Sequence, residues 1–371
     1  MKTIRRLIHV EVFSAVAFVT LGFLTLFTFF DFVDQLPAIG RSSARGTDYQ
    51  LPQALLYVLL LIPNHIYELL PITALIGTIF VMTRLAQSSE FTILRTSGLG
   101  PWRALRNLFS TGITFVVLTF VIGDYLAPWA DKTAQLLKAR FEGNITVGQT
   151  GAWLREKQDN GLIAVNIGSL APDASMHAVR IFQFNEQGLL VAVTKSANAR
   201  FDPSQTAWQL EQADQTRLPA VDSDISQIDR TQLANLSFPT EMTAEMVAAA
   251  LLKPERMRTI DLFQYVRHLR ANAQSAERYE IEFWKKVFYP LSCLVMVVLA
   301  LPFAYLHFRN EGISLYIFGG VMAGISFFFL NNVFSYIGEL QHWVPWLTAA
   351  LPGMIYTVLS LTAFTWLVIR R

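Results

Sequence analysis

Six stretches of this sequence stay apolar for about 20 residues or more with few charges, the length a helix needs to cross a hydrocarbon layer of about 30 Å. They run Val12–Phe30, Leu55–Met82, Leu105–Ala127, Phe283–Leu306, Ile313–Ile337 and Val344–Ile369. Hydrocarbon offers no partner for a backbone N–H or C=O, so each stretch is expected to be a transmembrane helix. The second contains Pro63, Asn64, Glu68 and Pro71 and is expected either to kink or to enter through the interface before spanning. Lys2, Arg5 and Arg6 precede the first, as in a signal peptide, but its apolar core is long and no small-residue cleavage site follows, so it reads as retained.

Between the third and fourth stretches the composition changes. Residues 131–280 hold 16 of the chain's 30 Lys and Arg and 18 of its 28 Asp and Glu. An ordinary water-exposed domain is therefore inserted into a membrane protein. The formal net charge of +2 gives no reason to expect nucleic acid as a partner. The single cysteine, Cys293, excludes an intramolecular disulfide, and no Cys and His set has zinc spacing, so no metal site is expected.

Lys and Arg in short flanking segments set orientation. With the N-terminus inside, the cytoplasmic segments collect Lys2, Arg5, Arg6, Arg84, Arg95, Arg103, Arg106, Arg309, Arg370 and Arg371, while the short outer loops hold only Arg41 and Arg45. Both termini are then cytoplasmic and residues 128–280 lie outside, in a periplasm if the cell has one. The expected organisation is residues 1–127 with three spans, 128–280 as an external domain, and 281–371 with three more.

Short runs of β-type composition fill the external segment: Leu162–Ile167, Ala178–Phe184, Leu189–Val193, Ala197–Phe201 and Leu233–Phe238. Asn185–Gly188 and Asp202–Gln205 have turn chemistry. The expectation is an all-β, jelly-roll-like domain, followed by a helical connector over about 259–280 with Leu262, Val266 and Leu269 on one face. Such a domain serves either as a receptor or assembly module, or as a sheet that pairs with a partner's sheet into a continuous groove.

The chemistry of a self-powered or hydrolytic protein is missing from the sequence. There is no phosphate-cradling Gly-x-x-x-x-Gly-Lys-Ser/Thr, no His-Glu-x-x-His and no Gly-x-Ser-x-Gly. His9, His65, His177, His268, His307 and His342 are scattered. A membrane-embedded enzyme using Glu68, Asp124 or Glu339 is the rival class, weakened because these carboxylates share no motif.

Two spans carry an apolar stripe at helical spacing: Val19, Phe23, Phe27 and Phe30 in the first, and Phe318, Met322, Ile325 and Phe329 in the fifth. Such stripes either pack and face lipid, or line a cavity that keeps acyl chains out of water. Asn331 and Asn332 lie deep in the fifth span, where at least one is expected to hydrogen-bond across helices. Arg41, Arg45, Lys138 and Arg140 near the outer surface are either solvated loop charges or candidates for binding lipid phosphates. On the inner side, Ala86–Gly98 reads as a short amphipathic helix, capped by Ser88 or Ser89, carrying Glu90, Phe91, Leu94 and Arg95 and ended by Gly98. It either lies on the membrane or docks into a groove of a soluble motor subunit, with Glu90 pairing to an Arg there.

Several ordered motifs carry a resemblance: Phe32-Val-Asp-Gln-Leu36, Ala86-Gln-Ser-Ser-Glu90 through Thr96-Ser-Gly98, Gly123-Asp-Tyr-Leu-Ala-Pro128, Ala199-Arg-Phe-Asp-Pro203 with Trp208-Gln-Leu210, Arg278-Tyr279, Trp284-Lys-Lys286 and Pro290-Leu-Ser292. Across nearly its whole length the chain resembles the lipopolysaccharide export permeases, more the G-type than the F-type branch. The resemblance implies an ABC-type half-transporter that pairs with an F-type permease paralogue. It is driven by two copies of a cytoplasmic B-type ATPase, which alone uses ATP and Mg, and is joined by a single-span C-type subunit. Lipopolysaccharide would leave the outer leaflet of the inner membrane through the shared cavity and pass by way of the jelly-roll domains to a periplasmic bridge protein. By position, Glu90 matches the coupling-helix glutamate that meets the ATPase, and the first and fifth spans match the cavity and lateral gates. Some relatives carry lysines where this chain has Asp31 and Asn64, so the resemblance does not fix the phosphate contacts, and Arg41, Arg45, Lys138 and Arg140 stand as candidates only.

Overall fold

A computed structural model describes residues 2–40, 49–88, 90–98, 100–142, 152–158, 161–171, 175–202, 204, 206–219, 228–240, 242, 246–247, 254–272, 274–305 and 313–366. The chain divides into two compact units. The first comprises residues 1–37, 58–131 and 277–371, and the second residues 38–57 and 132–276.

Unit 1 is helical. Helix α1 (Lys2–Gln35), α2 (Leu51–Gln87) and the short α3 (Glu90–Thr96) are followed by α4 (Pro101–Val121), which passes through a π-helical turn (Ile122–Leu126) into α5 (Ala127–Glu142); residues 51–57 of α2 and 132–142 of α5 belong to unit 2. After the inserted unit come α7 (Glu277–Leu299) with a 3-10 turn (Leu301–Tyr305), α8 (Ile313–Leu340) and α9 (Pro345–Phe364). Among the described residues six helical segments have the length and hydropathy of membrane spans, in the six regions the sequence marked. Helix α2 remains helical through Pro63 and Pro71. It is also the most enclosed span, 78% of its apolar window being buried, against 17% for α1 and for α8.

Small residues set how closely these helices approach, as expected where lipid tails remove the hydrophobic drive for association. A Cβ on Gly77 of α2 would lie 2.7–2.9 Å from the side chain and backbone of Val16 on α1. One on Gly320 or Gly324 of α8 would strike Ile79 or Ile72 of α2, and one on Gly112 of α4 would strike Leu294 of α7. Gly77 lies five residues past Ile72, on a different face of α2 from Ile72 and Ile79, which are seven apart. Helices α1 and α8 therefore flank α2 on separate sides. One core cluster joins Ile8, Val12, Val16, Leu70, Ala74, Met82, Leu108, Phe115, Val297 and Phe364. A second joins Leu75, Ile79, Met296, Phe327 and Tyr356.

Unit 2 carries six antiparallel strands in sequential order: β1 (Ala152–Gln158), β2 (Gly161–Leu170), β3 (Met176–Phe184), β4 (Leu190–Asp202), β5 (Ala207–Arg217) and β6 (Asp229–Pro239). The inserted all-β domain is thus present, with its described strands connected as a meander. Leu189–Val193 and Ala197–Phe201, read separately in the sequence, belong to the single strand β4, because Lys195, Ser196 and Asn198 keep the ladder with β3. Two of the six, β1 and β5, lacked a sequence signal strong enough to stand out. Along one register Leu154 faces Val165, Val165 faces Ile181, and Ile181 faces Thr194, all buried. The Asn185–Gly188 turn forms as expected, Gly188 N–H donating to the Asn185 carbonyl at 3.0 Å and the Leu189 N–H to Asn185 Oδ1 at 2.8 Å. The Glu156 carboxylate on β1 accepts from Thr240 Oγ1 at 2.5 Å just beyond β6, and Gln158 Nε2 donates to the Pro239 carbonyl at 3.0 Å. Side chains thus tie the first strand to the end of the last. Helix α6 (Thr259–Ala271) buries Leu262, Tyr265 and Leu269, Tyr265 taking the place expected of Val266, and it stops before α7 begins at Glu277.

Candidate functional site

Helix α3 is built as an amphipathic wedge. Phe91 and Leu94 occupy positions i and i+3, and both turn inward: Phe91 is buried among Leu85, Ala104, Leu301, Ala304 and Tyr305, with Leu94 packed against the same cluster. The Phe91 ring meets the Tyr305 ring edge-on, centroids 5.0 Å apart. The exposed side consists of Glu90, Thr92, Ile93 and Thr96. Of the four coupling residues expected from the sequence, Glu90 is thus presented outward while Phe91 and Leu94 anchor the helix. The Arg95 side chain lies outside the described residues.

Ser88 does not cap the helix in the expected way, its hydroxyl turning back to the Leu85 carbonyl at 3.4 Å, and Ser89 lies outside the described residues. Gly98 ends the segment with φ +98°, a backbone conformation that glycine adopts without the penalty a Cβ brings. Its carbonyl accepts from Arg103 Nη1 at 3.0 Å, which ties the turn to the start of α4. At the same end of the bundle Arg84 of α2 pairs with Glu11 of α1, and Arg5 Nη2 donates to Ser110 Oγ of α4 at 2.6 Å.

The two apolar stripes differ in exposure. On α8, Phe318, Met322, Ile325 and Phe329 are all exposed, at 61%, 50%, 52% and 64%. On α1, Val19 and Phe23 are half-buried, while Phe27 and Phe30 are exposed. Phe27 also tilts against the His65 ring at 5.3 Å. His65 in turn contacts Asp31 Oδ2 at 2.6 Å, joining α1 to α2. Asn331 hydrogen-bonds within its own helix, Nδ2 donating to the Phe327 carbonyl at 3.1 Å. The cross-helix bond here comes instead from Tyr356 of α9, whose hydroxyl donates to the Ala323 carbonyl of α8 at 2.7 Å and lies 2.5 Å from Ser326 Oγ.

Of the four phosphate candidates, Arg41 and Arg45 lie outside the described residues, as does the Arg140 side chain. Lys138 is half-buried, its ammonium 5.5 Å from the Tyr57 ring centre. A polar cluster, to which the motifs holding Gly123 and Lys286 gave no role in the sequence, sits where the π-helical turn interrupts the third span. Buried Lys286 of α7 donates to the Gly123 carbonyl at 3.4 Å and lies 6.0 Å from the Tyr67 ring. Tyr67 and Tyr289 rings are 5.0 Å apart, and the Tyr289 hydroxyl donates to the Glu68 carbonyl at 2.6 Å. A Cβ on Gly123 would overlap the Tyr67 ring at 2.3 Å. The signal was legible: adjacent lysines inside an apolar stretch are costly unless something inside the bundle receives them. No group of three or more His, Cys, Asp or Glu side chains among the described residues is arranged to hold a metal ion.

The arrangement is a short helix presenting Glu90 outward at one end of a bundle with an uncovered apolar face. The sequence matches the family described as lipopolysaccharide export system permease LptF/LptG over residues 6–367. The chain belongs to that family. It is 28% identical over 368 residues to the lipopolysaccharide export system permease protein LptG of Escherichia coli (strain K12), covering 99% of this chain and 98% of that protein. The protein of the same name from Haemophilus influenzae is 25% identical over 372 residues, covering 100% of this chain and 99% of that one. A permease of this family is the membrane subunit of a transporter, not an enzyme.

Proposed function

We propose that this permease is the membrane-spanning half of an ATP-driven lipopolysaccharide exporter of the bacterial inner membrane, with α3 and both termini cytoplasmic and the sheet domain periplasmic. The observation that carries the reading is the match to the permease family over residues 6–367 together with an α3 whose anchored face leaves Glu90 outward. An F-type paralogue completes the cavity and a single-span C-type subunit sits at one lateral gate. Two copies of a B-type ATPase, which bind ATP and Mg, dock on α3, and a periplasmic bridge receives the product.

In this mechanism the α8 stripe and the outer half of the α1 stripe hold acyl chains while the head group moves. Each methylene kept from water is worth about 0.8 kcal/mol, so an uninterrupted apolar wall is required. Arg41, Arg45, Lys138 and Arg140 take the phosphates. Glu90 pairs with an arginine of the motor, so reversing its charge places cation against cation.

The test is reconstitution. The chain purified alone hydrolyses no ATP; co-expressed with its paralogue and ATPase, it forms a complex whose hydrolysis accompanies lipopolysaccharide release from liposomes. Glu90→Lys lowers both by about tenfold or more, in line with loss of a charged pair at an interface. Hydrolysis by the lone chain, or undiminished release from the Glu90→Lys complex, overturns the assignment.

A further inference from the structure

The burial of Phe91 separates two tasks that one short helix has to perform. Docking requires outward residues, and Glu90 and Ile93 supply them, Ile93 being 62% exposed. Passing force onward requires a stiff contact with the bundle, which is the place of Phe91. Its ring is 3% exposed and meets Tyr305, itself 7% exposed, on the 3-10 turn that closes α7. Ala104 and Leu108 of α4 belong to the same cluster. From there α7 and α4 are coupled along their length: Leu294 fills the place of a Cβ at Gly112, Thr119 Oγ1 lies 3.1 Å from Cys293 Sγ, and Lys286 reaches the Gly123 carbonyl. Close-packed contacts of this kind shift as discrete units instead of deforming, which is the property a transmission element needs.

Resting on the exporter reading above, we infer that Phe91 and Tyr305 form the joint through which α3 drives the fourth span and, with it, the third. They are positioning residues for transport, not docking residues. The load enters the α4–α7 pair and reaches the π-helical turn where Lys286 holds Gly123. Helices α1 and α8, the least enclosed spans, then follow as walls.

The experiment compares Phe91→Ala, Tyr305→Ala and the ring-preserving Tyr305→Phe in the full complex of both permeases and the ATPase, reconstituted in liposomes with lipopolysaccharide. ATPase retention on purification, ATP hydrolysis and lipopolysaccharide released per ATP are measured. For both alanine variants the expected result is normal ATPase retention, hydrolysis within about threefold of wild type, and release per ATP reduced about tenfold, within the span of coupling between distant sites. Tyr305→Phe keeps release near wild type. Unchanged release per ATP in the alanine variants overturns the joint, as does loss of ATPase retention equal to that of Glu90→Lys in both of them, since Tyr305 lies off the docking helix. A wild-type complex that hydrolyses ATP without releasing lipopolysaccharide refutes the exporter reading itself, a result distinct from either.

Discussion

At the scale of single residues, the glycines of the bundle carry as much as the charged groups. Gly77 is met by Val16 through backbone as well as side-chain atoms, so an added methyl has no flexible end to push aside. Gly77→Ala is expected to lower stability by about 1–3 kcal/mol, the usual cost of overpacking, and to loosen α1 from α2, read as earlier loss of helicity on denaturant titration in detergent. Gly22, with open space around its Cβ position, is the matched control and is expected to tolerate alanine. Unchanged unfolding of Gly77→Ala would mean α1 is free to slide at this crossing. Glu90 was visible in the sequence because a lone carboxylate in a basic segment between two spans stands out. The inward turn of Phe91 was not, since a seven-residue helix shows an apolar pair without saying what the pair rests on.

At the scale of elements, the spans were legible because hydrocarbon admits so few backbone solutions, while the sheet was legible only in its apolar strands. Strand β1 turns Leu154 and Glu156 inward and Arg155 and Lys157 outward, so burying a carboxylate hid it from any hydropathy reading; the buried Glu156 is answered by Thr240, 84 residues away. Strand β5 is masked by Gln209, Glu211, Gln212, Asp214 and Gln215. Across its ladder with β6, Arg230, which faces Thr216, reaches diagonally to Asp214, which faces Gln232, and the guanidinium hydrogen bonds hold the Asp214 carboxyl below its ordinary range. A lowered folded-state pKa means stability that is fully present above the ordinary carboxylate range and lost as pH falls through the lowered value. Asp214→Asn should therefore quicken amide exchange at the Arg217–Asp229 end of β5–β6 at neutral pH, and the difference from wild type should vanish in acid. A difference that persists in acid would assign the effect to side-chain shape instead of charge. The pair is solvent-exposed, so the change is small and local.

At the scale of the whole molecule, what stands out is what the chain leaves uncovered. Phe318, Met322, Ile325 and Phe329 form a continuous apolar stripe on a helix anchored to α2 by Gly320 and Gly324 on its other side. The anchor makes the stripe a fixed wall, not a loose helix, and only the identity of what lies against it distinguishes a cargo cavity from ordinary contact with bulk lipid. Both readings leave the lone chain unchanged, so the deciding measurement belongs to the working complex. A photoreactive phenylalanine analogue at Phe318 or Phe329 should capture lipopolysaccharide before ATP is added and lose that adduct as ATP is consumed, because transport empties the cavity. The same probe at Val358 of α9, equally apolar and 61% exposed, should give an adduct that does not depend on ATP. If the α8 positions behave like Val358, the stripe is a lipid-facing surface and the cavity must be built from other spans. If they alone respond to ATP, the wall that α2 holds in place is the surface the cargo leaves.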